Sequence, residues 1–145
     1  MKTNCDKNEK YIAKYISQLN REARSFVNKS VSKFGFKSGQ IMFLIDLYKQ
    51  DGKSQEEISE SLHMDKVTTA RAIRKLEEEG YVTRAKDKED KRFNSIYLTD
   101  KSKELQDDIY GVFDEWHNRI GECLTEEEEL LLRQLLEKVC NNIKL

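Results

Sequence analysis

The chain has 145 residues, is 37% charged, contains no proline and carries a formal net charge of −1. This length allows one domain with a substantial core, or two small layers that share helices. No apolar run approaches the roughly 20 residues that a membrane span needs, and residues 1–10 lack the apolar core of a secretory signal. We therefore expect a soluble cytoplasmic protein with no membrane partner.

The sequence offers little for metal or catalytic chemistry. The three cysteines, Cys5, Cys123 and Cys140, are odd in number and have no CxxC spacing, which argues against a disulfide framework and a structural zinc site. The only histidines, His63 and His117, stand on different predicted elements. No nucleophile–base arrangement or glycine-rich phosphate loop is found. We expect neither an enzyme nor a bound cofactor or metal.

Two helices are predicted in the first third of the chain. The first runs from about Glu9 to Lys33 with an apolar stripe at spacings of three and four, and Gly35 suits a left-handed stop. Ser38 is expected to cap the second helix. Residues 41–47 of that helix are apolar nearly all round, as in a helix that is buried on most sides.

The middle third predicts two short helices and a hairpin. The run Ser54–Glu57 matches a capping box and opens the third helix, and Asp65 caps the fourth after a tight turn. Gly80 is expected to end the fourth helix. The inner face of that helix is predicted to consist of Thr69, Ala72, Ile73 and Leu76. Residues 81–84 and 95–98 are rich in β-branched and aromatic residues and predict a two-stranded wing.

The last third predicts two further helices. Thr99 begins the fifth, and the capping box Thr125–Glu128 opens the sixth. The apolar stripe of the fifth helix comprises Leu105, Ile109, Val112, Trp116 and Ile120. The residues of the sixth helix that are expected to lie inward are Leu131, Leu132, Leu135, Val139 and Ile143.

Two short helices joined by a tight turn form the helix-turn-helix pattern, in which the second helix reads DNA, and the hairpin makes the domain winged. The predicted fold class is mainly α with a small β-wing. Residues 1–50 carry ten Lys/Arg against four Asp/Glu, whereas residues 100–145 carry six against twelve. Packing of the basic first helix on the acidic last helices would join both termini in one helical domain; solvated faces without mutual contact fit the composition equally well.

The segment SQEEISESLHMDKVTTARAIRKLEEEGYVTRAKDKEDKRFNSIYLT resembles the MarR family of transcription regulators. It has the family's order of third helix, recognition helix, LExxG, a strand with Arg84, the wing D-x-R at Asp90 to Arg92, and a strand that ends in LT. The close match covers residues 38–99. The resemblance implies a winged helix-turn-helix domain at 37–99.

The resemblance also implies partners. In the family, the N-terminal helix and the last two helices interlock with those of a second copy, so residues 1–36 and 100–145 are expected to form a helical dimerisation domain. The expected partners are a second copy of the chain and double-stranded DNA with a pseudopalindromic operator. Many members are released from DNA by a small phenolic or anionic compound. We expect a repressor more than an activator.

Arg92 at the wing tip is the strongest candidate for DNA contact, since an arginine there can enter a narrow minor groove. Asp90 would hold the wing backbone or Arg92 itself. On the fourth helix, Thr68 and Arg71 are best placed for base edges, and free amides at helix starts can bind phosphate. The full predicted DNA-contacting set is Ser38, Gln40, Ser54, Gln55, Lys66, Thr68, Arg71, Arg74, Lys75, Arg84, Asp90 and Arg92. Capping alone explains Ser54 equally well, and Arg84 could instead pair with the acidic run 77–79.

Five aromatic residues are candidates for an effector cleft between the winged domain and the dimer helices, or are plain core. They are Phe43, Tyr48, Tyr110, Phe113 and Trp116.

Two alternatives to a DNA-binding regulator of this kind stay open. One is a winged-helix module that binds another protein, favoured slightly by the near-neutral middle third, which carries ten Lys/Arg against eleven Asp/Glu. The other is redox sensing through Cys5, with Cys123 and Cys140 expected as core thiols.

Overall fold

The structure is a computed structural model that describes residues 11–143, apart from the side chain of Ser38. The expected helix start at Glu9 and the candidate redox residue Cys5 lie outside the described residues. In chain order the elements are α1 (Ile12–Ser32), α2 (Ser38–Lys49), β1 (Lys53–Ser54), α3 (Gln55–Ser61), α4 (Lys66–Glu78), β2 (Val82–Lys86), β3 (Asn94–Leu98), α5 (Asp100–Glu104), α6 (Gln106–Gly121) and α7 (Glu126–Asn142). The predicted fold class, mainly α with a small β-wing, is confirmed.

The predicted helix starts and stops are confirmed at six positions, one of them Thr99, whose hydroxyl accepts the backbone N–H of Ser102 at 3.4 Å. Ser54, Asp65 and Thr125 each accept a hydrogen bond from the backbone N–H three residues later, at 3.1, 2.8 and 3.2 Å. These bonds satisfy amides that have no partner within the helix. Gly35 and Gly80 follow helix ends with φ of +81° and +80°, which a side chain would disfavour. Local chemistry therefore fixes where α3, α4 and α7 begin.

The start of α2 differs from the prediction. Lys37, not Ser38, is the N-cap, and Ser38 is the first helical residue. The side chain of Gln40 reaches back and accepts the backbone N–H of Lys37 at 3.1 Å. This bond satisfies the backbone N–H of the N-cap residue itself, and the helix boundary lies one residue earlier than predicted.

The predicted fifth helix is divided into α5 and α6 at Leu105. The N–H of Leu105 bonds the carbonyl of Ser102 at 3.2 Å, a tighter turn than an α-helical one, and the next helix resumes with the N–H of Ile109 on Leu105 at 2.9 Å. The Ser102 hydroxyl donates to the carbonyl of Tyr81 and so anchors α5 against the strand edge.

The wing has three strands rather than the predicted two. The sheet is antiparallel with the order β1-β3-β2, and β3 pairs with β2 from Val82↔Leu98 to Lys86↔Asn94. The additional strand β1 has only two residues and pairs Lys53 with Ile96. Two residues are too few to show the alternation that predicts a strand.

The core lies between α2, α4 and the inner face of the sheet. Thr69, Ile73 and Leu76 of α4 are fully buried, as predicted. The other buried apolar residues are Val27, Val31, Phe36, Ile41, Phe43, Leu44, Leu47, Ile58, Tyr81, Val82, Ile96, Leu98, Ile109 and Val112. This core fixes α4 with its opposite face towards solvent.

The prediction that the apolar residues of α7 lie inward is wrong for the single chain. The helix has no buried residue, and the five residues Leu131, Leu132, Leu135, Val139 and Ile143 are between 36% and 63% exposed. On α1, Ile12, Ile16 and Leu19 are likewise exposed. These side chains stay exposed because too few other described residues pack against them.

The expectation that Cys123 and Cys140 are core thiols is also wrong, because both are exposed. Cys123 follows the end of α6 and Cys140 lies on the uncovered helix α7.

Candidate nucleic-acid interface

The wing tip between β2 and β3 is organised by Asp87. Its Oδ1 accepts the backbone N–H groups of Glu89 and Asp90 at 2.8 and 3.0 Å, and its Oδ2 accepts the hydroxyl of Ser95 at 3.0 Å. Hydrogen bonds from the backbone, with a further one from Ser95, lower the pKa of the Asp87 carboxyl. The turn is therefore fixed by a side chain within an otherwise solvent-exposed hairpin.

Asp90 holds both the wing backbone and Arg92. Its Oδ1 accepts the backbone N–H of Arg92 at 3.1 Å and the Nε at 2.9 Å, while Oδ2 accepts Nη2 at 2.7 Å. The pKa of Asp90 is lowered and that of Arg92 raised by this bidentate pair. The Arg92 side chain is nevertheless 84% exposed, so a cation is held in one orientation at the tip of the wing.

The solvent face of α4 carries cations that the chain leaves free. Arg71 and Arg74 are exposed, and neither has an ion-pair partner among the described residues. Lys66 lies 3.2 Å from Glu56, and Lys75 lies 4.0 Å from Glu79. Exposed pairs of this kind are weak and can be exchanged for another anion.

Thr68 is less free than a base-reading residue would be. Its hydroxyl donates to Asp65 Oδ2 at 2.7 Å, and its backbone N–H donates to Asp65 Oδ1. The same contacts lower the pKa of the Asp65 carboxyl. Thr68 therefore takes part in the cap of α4, although its hydroxyl oxygen can still accept a hydrogen bond.

Two residues of the predicted set are engaged inside the chain. Gln40 is buried and donates to Glu79 Oε2 at 3.0 Å while holding the start of α2. Arg84 pairs with Glu77, with Nε 2.9 Å from Oε2. In the chain without DNA, Arg84 thus makes the ion pair with the acidic run, and its contact with phosphate stays a prediction.

A groove of about 290 Å³ separates the start of α3 from the wing. It brings together residues that are far apart in sequence: Ser54, Gln55, Glu56, Ser59, Lys66, Arg84, Arg92, Phe93 and Asn94. The outer face of α4 begins at Lys66, which also borders a shallow depression with Arg71 and Arg74. The wing groove and the α4 depression therefore form one continuous surface through Lys66.

The five aromatic effector candidates lie in different surroundings. Phe43 is 1% exposed and belongs to the core. The hydroxyl of Tyr48 donates to the Ser102 carbonyl at 2.6 Å, and burial, with a smaller effect of Tyr110, raises the pKa of Tyr48 to about 12. Trp116 alone of the five lines an open groove of about 430 Å³ between α1 and α6.

A family model described as MarR family matches residues 36–93, from the start of α2 through the wing tip. A MarR transcriptional regulator from Methanosarcina mazei Go1 is 38% identical with a TM-score of 0.85, over 90% of this chain and 94% of that one. The chain belongs to the MarR family.

Two further relatives support this assignment to the MarR family. The HTH-type transcriptional regulator BilQ of Clostridium symbiosum (strain WAL-14163) is 29% identical over 90% of this chain and 91% of its own length. A protein from Listeria monocytogenes, described as a MarR-family transcriptional regulator and solved with 26mer DNA, is 27% identical with a TM-score of 0.85, over 92% of this chain and 89% of that one. These relatives are transcriptional regulators rather than enzymes.

Sequence reasoning missed an exposed apolar residue on α4 and another at the wing. Val67 on α4 is 67% exposed and Phe93 on the wing is 52% exposed. The signal was available for Val67, because it lies opposite the buried Thr69 on the helix.

No helix that the structure describes is long and apolar enough to cross a membrane.

Proposed function

We propose that the chain acts as a homodimer that binds a pseudopalindromic site in double-stranded DNA and represses transcription there. The observation that carries the proposal is the continuous surface on which the free arginines of α4 and the fixed Arg92 lie. The relative from Listeria monocytogenes that was solved with DNA supports it at 27% identity.

In this proposal α4 enters the major groove and the wing tip the neighbouring minor groove. Arg71 contacts base edges, and Arg74 and Lys75 contact phosphates. Arg92 enters the minor groove, where the pair with Asp90 orients its guanidinium in advance. The backbone N–H of Gln55 at the wing groove stays a candidate for phosphate contact, whereas that of Ser54 is bonded to Glu57 at 2.7 Å. Gln40 is not included, because its side chain is buried and both ends of its amide are engaged.

The proposed dimer interface is formed by the exposed apolar side chains of α1 and α7. Residues 1–36 and 100–145 would then serve as the dimerisation domain and 37–99 as the DNA-binding domain. Burial of apolar area contributes roughly 25 cal/mol per Å², which favours covering this surface with a second copy. A two-fold dimer would place two α4 helices about 34–36 Å apart, or a multiple of it, on half-sites of opposite orientation.

Repression follows most simply from occupancy, because a dimer bound over a promoter excludes polymerase, whereas activation needs a further specific contact. We further propose that a small effector releases DNA by binding the DNA-incompetent arrangement more tightly. The groove beside Trp116 is the place where it would bind. Since Trp116 is the only tryptophan, its fluorescence reports binding directly in a compound screen.

Selection from a randomised duplex library tests the DNA-binding proposal. The wild-type chain should enrich a site with two inverted half-sites, and Arg92→Ala should fail to enrich it while retaining its circular dichroism and melting temperature. Lys103→Ala is the matched control, because it also removes one exposed positive charge but lies on α5. No enrichment by a folded wild-type dimer would overturn the proposal and favour a module that binds another protein.

A further inference from the structure

The outer face of α4 carries an apolar centre that the proposed contacts leave unexplained. Val67 is 67% exposed, and with Ala70 it lines a shallow depression bordered by the cations Lys66, Arg71 and Arg74. Residues 67, 70, 71 and 74 follow the i, i+3, i+4, i+7 spacing of one helix face. No other described element lines this depression.

The position of Val67 does not serve the fold. It lies two residues before the fully buried Thr69, which places it on the opposite side of the helix from the core. Valine is not a strong helix former, since its branched side chain loses rotamer freedom in a helix. A polar residue would suit a solvated position of the first turn better.

Charge complementarity indicates what covers this apolar centre. Three cations surround it and no carboxylate lines the same depression. A polyanionic partner that presents an apolar group on its contact surface fits this arrangement. In the DNA major groove the C5 methyl of thymine is that apolar group.

We propose that Val67 is a specificity-determining residue that packs on a thymine methyl in each half-site. The inference rests on the proposed DNA binding and adds the base class that the first turn of α4 selects. The sequence prediction placed Thr68 and Arg71 at base edges. We replace Thr68 by Val67, because Val67 and Arg71 share the outer face of α4, whereas the hydroxyl of Thr68 is bonded to Asp65.

Replacing single thymines by deoxyuridine in the selected duplex tests the inference, because this removes the methyl and leaves the hydrogen-bonding edge unchanged. The wild-type chain should lose about 4-fold in affinity when the matching thymine is replaced in one half-site, and about 15-fold when it is replaced in both. Val67→Ala should bind the thymine and deoxyuridine duplexes equally, which completes a double-mutant cycle.

Glu78→Ala is the matched control on the same helix. Glu78 is exposed at the far end of α4, so the ratio between thymine and deoxyuridine duplexes should stay at the wild-type value. A Val67→Ala chain that keeps the full ratio would overturn the inference, as would a wild-type chain that is indifferent to every thymine in its selected site. In both results the enriched site itself still supports the proposed function, whereas failure of the wild-type chain to enrich any site overturns both.

Discussion

Replacing Leu135 with alanine tests the proposed dimer interface at one side chain. Leu135 lies near the middle of α7 and is 51% exposed in the single chain. Full burial of a leucine contributes about 1.5–3 kcal/mol, so covering the remaining half contributes about 1 kcal/mol. Two-fold symmetry presents the residue twice, and the substitution should therefore weaken the dimer by about 2 kcal/mol, or roughly 30-fold in dissociation constant.

Sedimentation equilibrium over a concentration series measures this dissociation constant. Val67→Ala serves as the control, because it also truncates an exposed apolar side chain but on the α4 surface. A dimer dissociation constant that changes by less than 3-fold in Leu135→Ala would refute the assignment of α7 to the interface. A wild-type chain that stays monomeric at concentrations where it binds DNA would refute the dimer itself.

Three further predictions concern stability and the wing. Asp46→Ala should lower the free energy of unfolding by about 3–5 kcal/mol, because it removes the ion-pair partner of a largely buried ammonium group. The Lys53 side chain is 12% exposed, and its ammonium lies 3.0 Å from the Asp46 carboxylate. Chemical denaturation measures the loss, and a change below about 1 kcal/mol would contradict the prediction. Tyr48 should ionise near pH 12 in an alkaline absorbance titration, because burial, with a smaller effect of Tyr110, raises its pKa to about 12. The stabilisation from its neutral form is complete below pH 10 and is lost as the pH rises from 10 towards 12, and Tyr48→Phe should remove the step near pH 12. Asp90→Asn should weaken DNA binding without unfolding the chain, because the wing-tip arginine loses its bidentate partner; an affinity equal to wild type at 150 mM salt would show that this orientation does not matter.

Local signals predicted much of this fold because each depends on residues close in sequence. The capping boxes at Ser54 and Thr125 and the left-handed glycine Gly80 need only three or four neighbours to act. The periodic burial of Ile73 and Leu76 likewise follows from helix geometry, since one face of an amphipathic helix must pack. These elements set the orientation of α4, and hence the outward direction of its arginines.

The features that were missed depend on residues far apart in sequence. Strand β1 exists because Lys53 meets Ile96 across the sheet, and two residues carry no pattern of their own. The burial of Gln40 depends on Glu79, which lies 39 positions away. The apolar stripe of α7 was correctly identified, but its periodicity cannot tell whether the covering surface belongs to the same chain. We propose that a second copy of the chain covers the apolar stripe of α7.

Sequence-specific DNA binding is tested by competition between the selected duplex and a scrambled duplex across a series of salt concentrations. We expect a preference of at least about 10³-fold for the selected site at physiological salt. If Arg74 and Lys75 of both protomers neutralise phosphates, the logarithm of affinity should fall with the logarithm of salt concentration at a slope of about −3.6 or steeper. A flat salt dependence together with equal affinity for both duplexes would contradict the claim that this surface reads DNA.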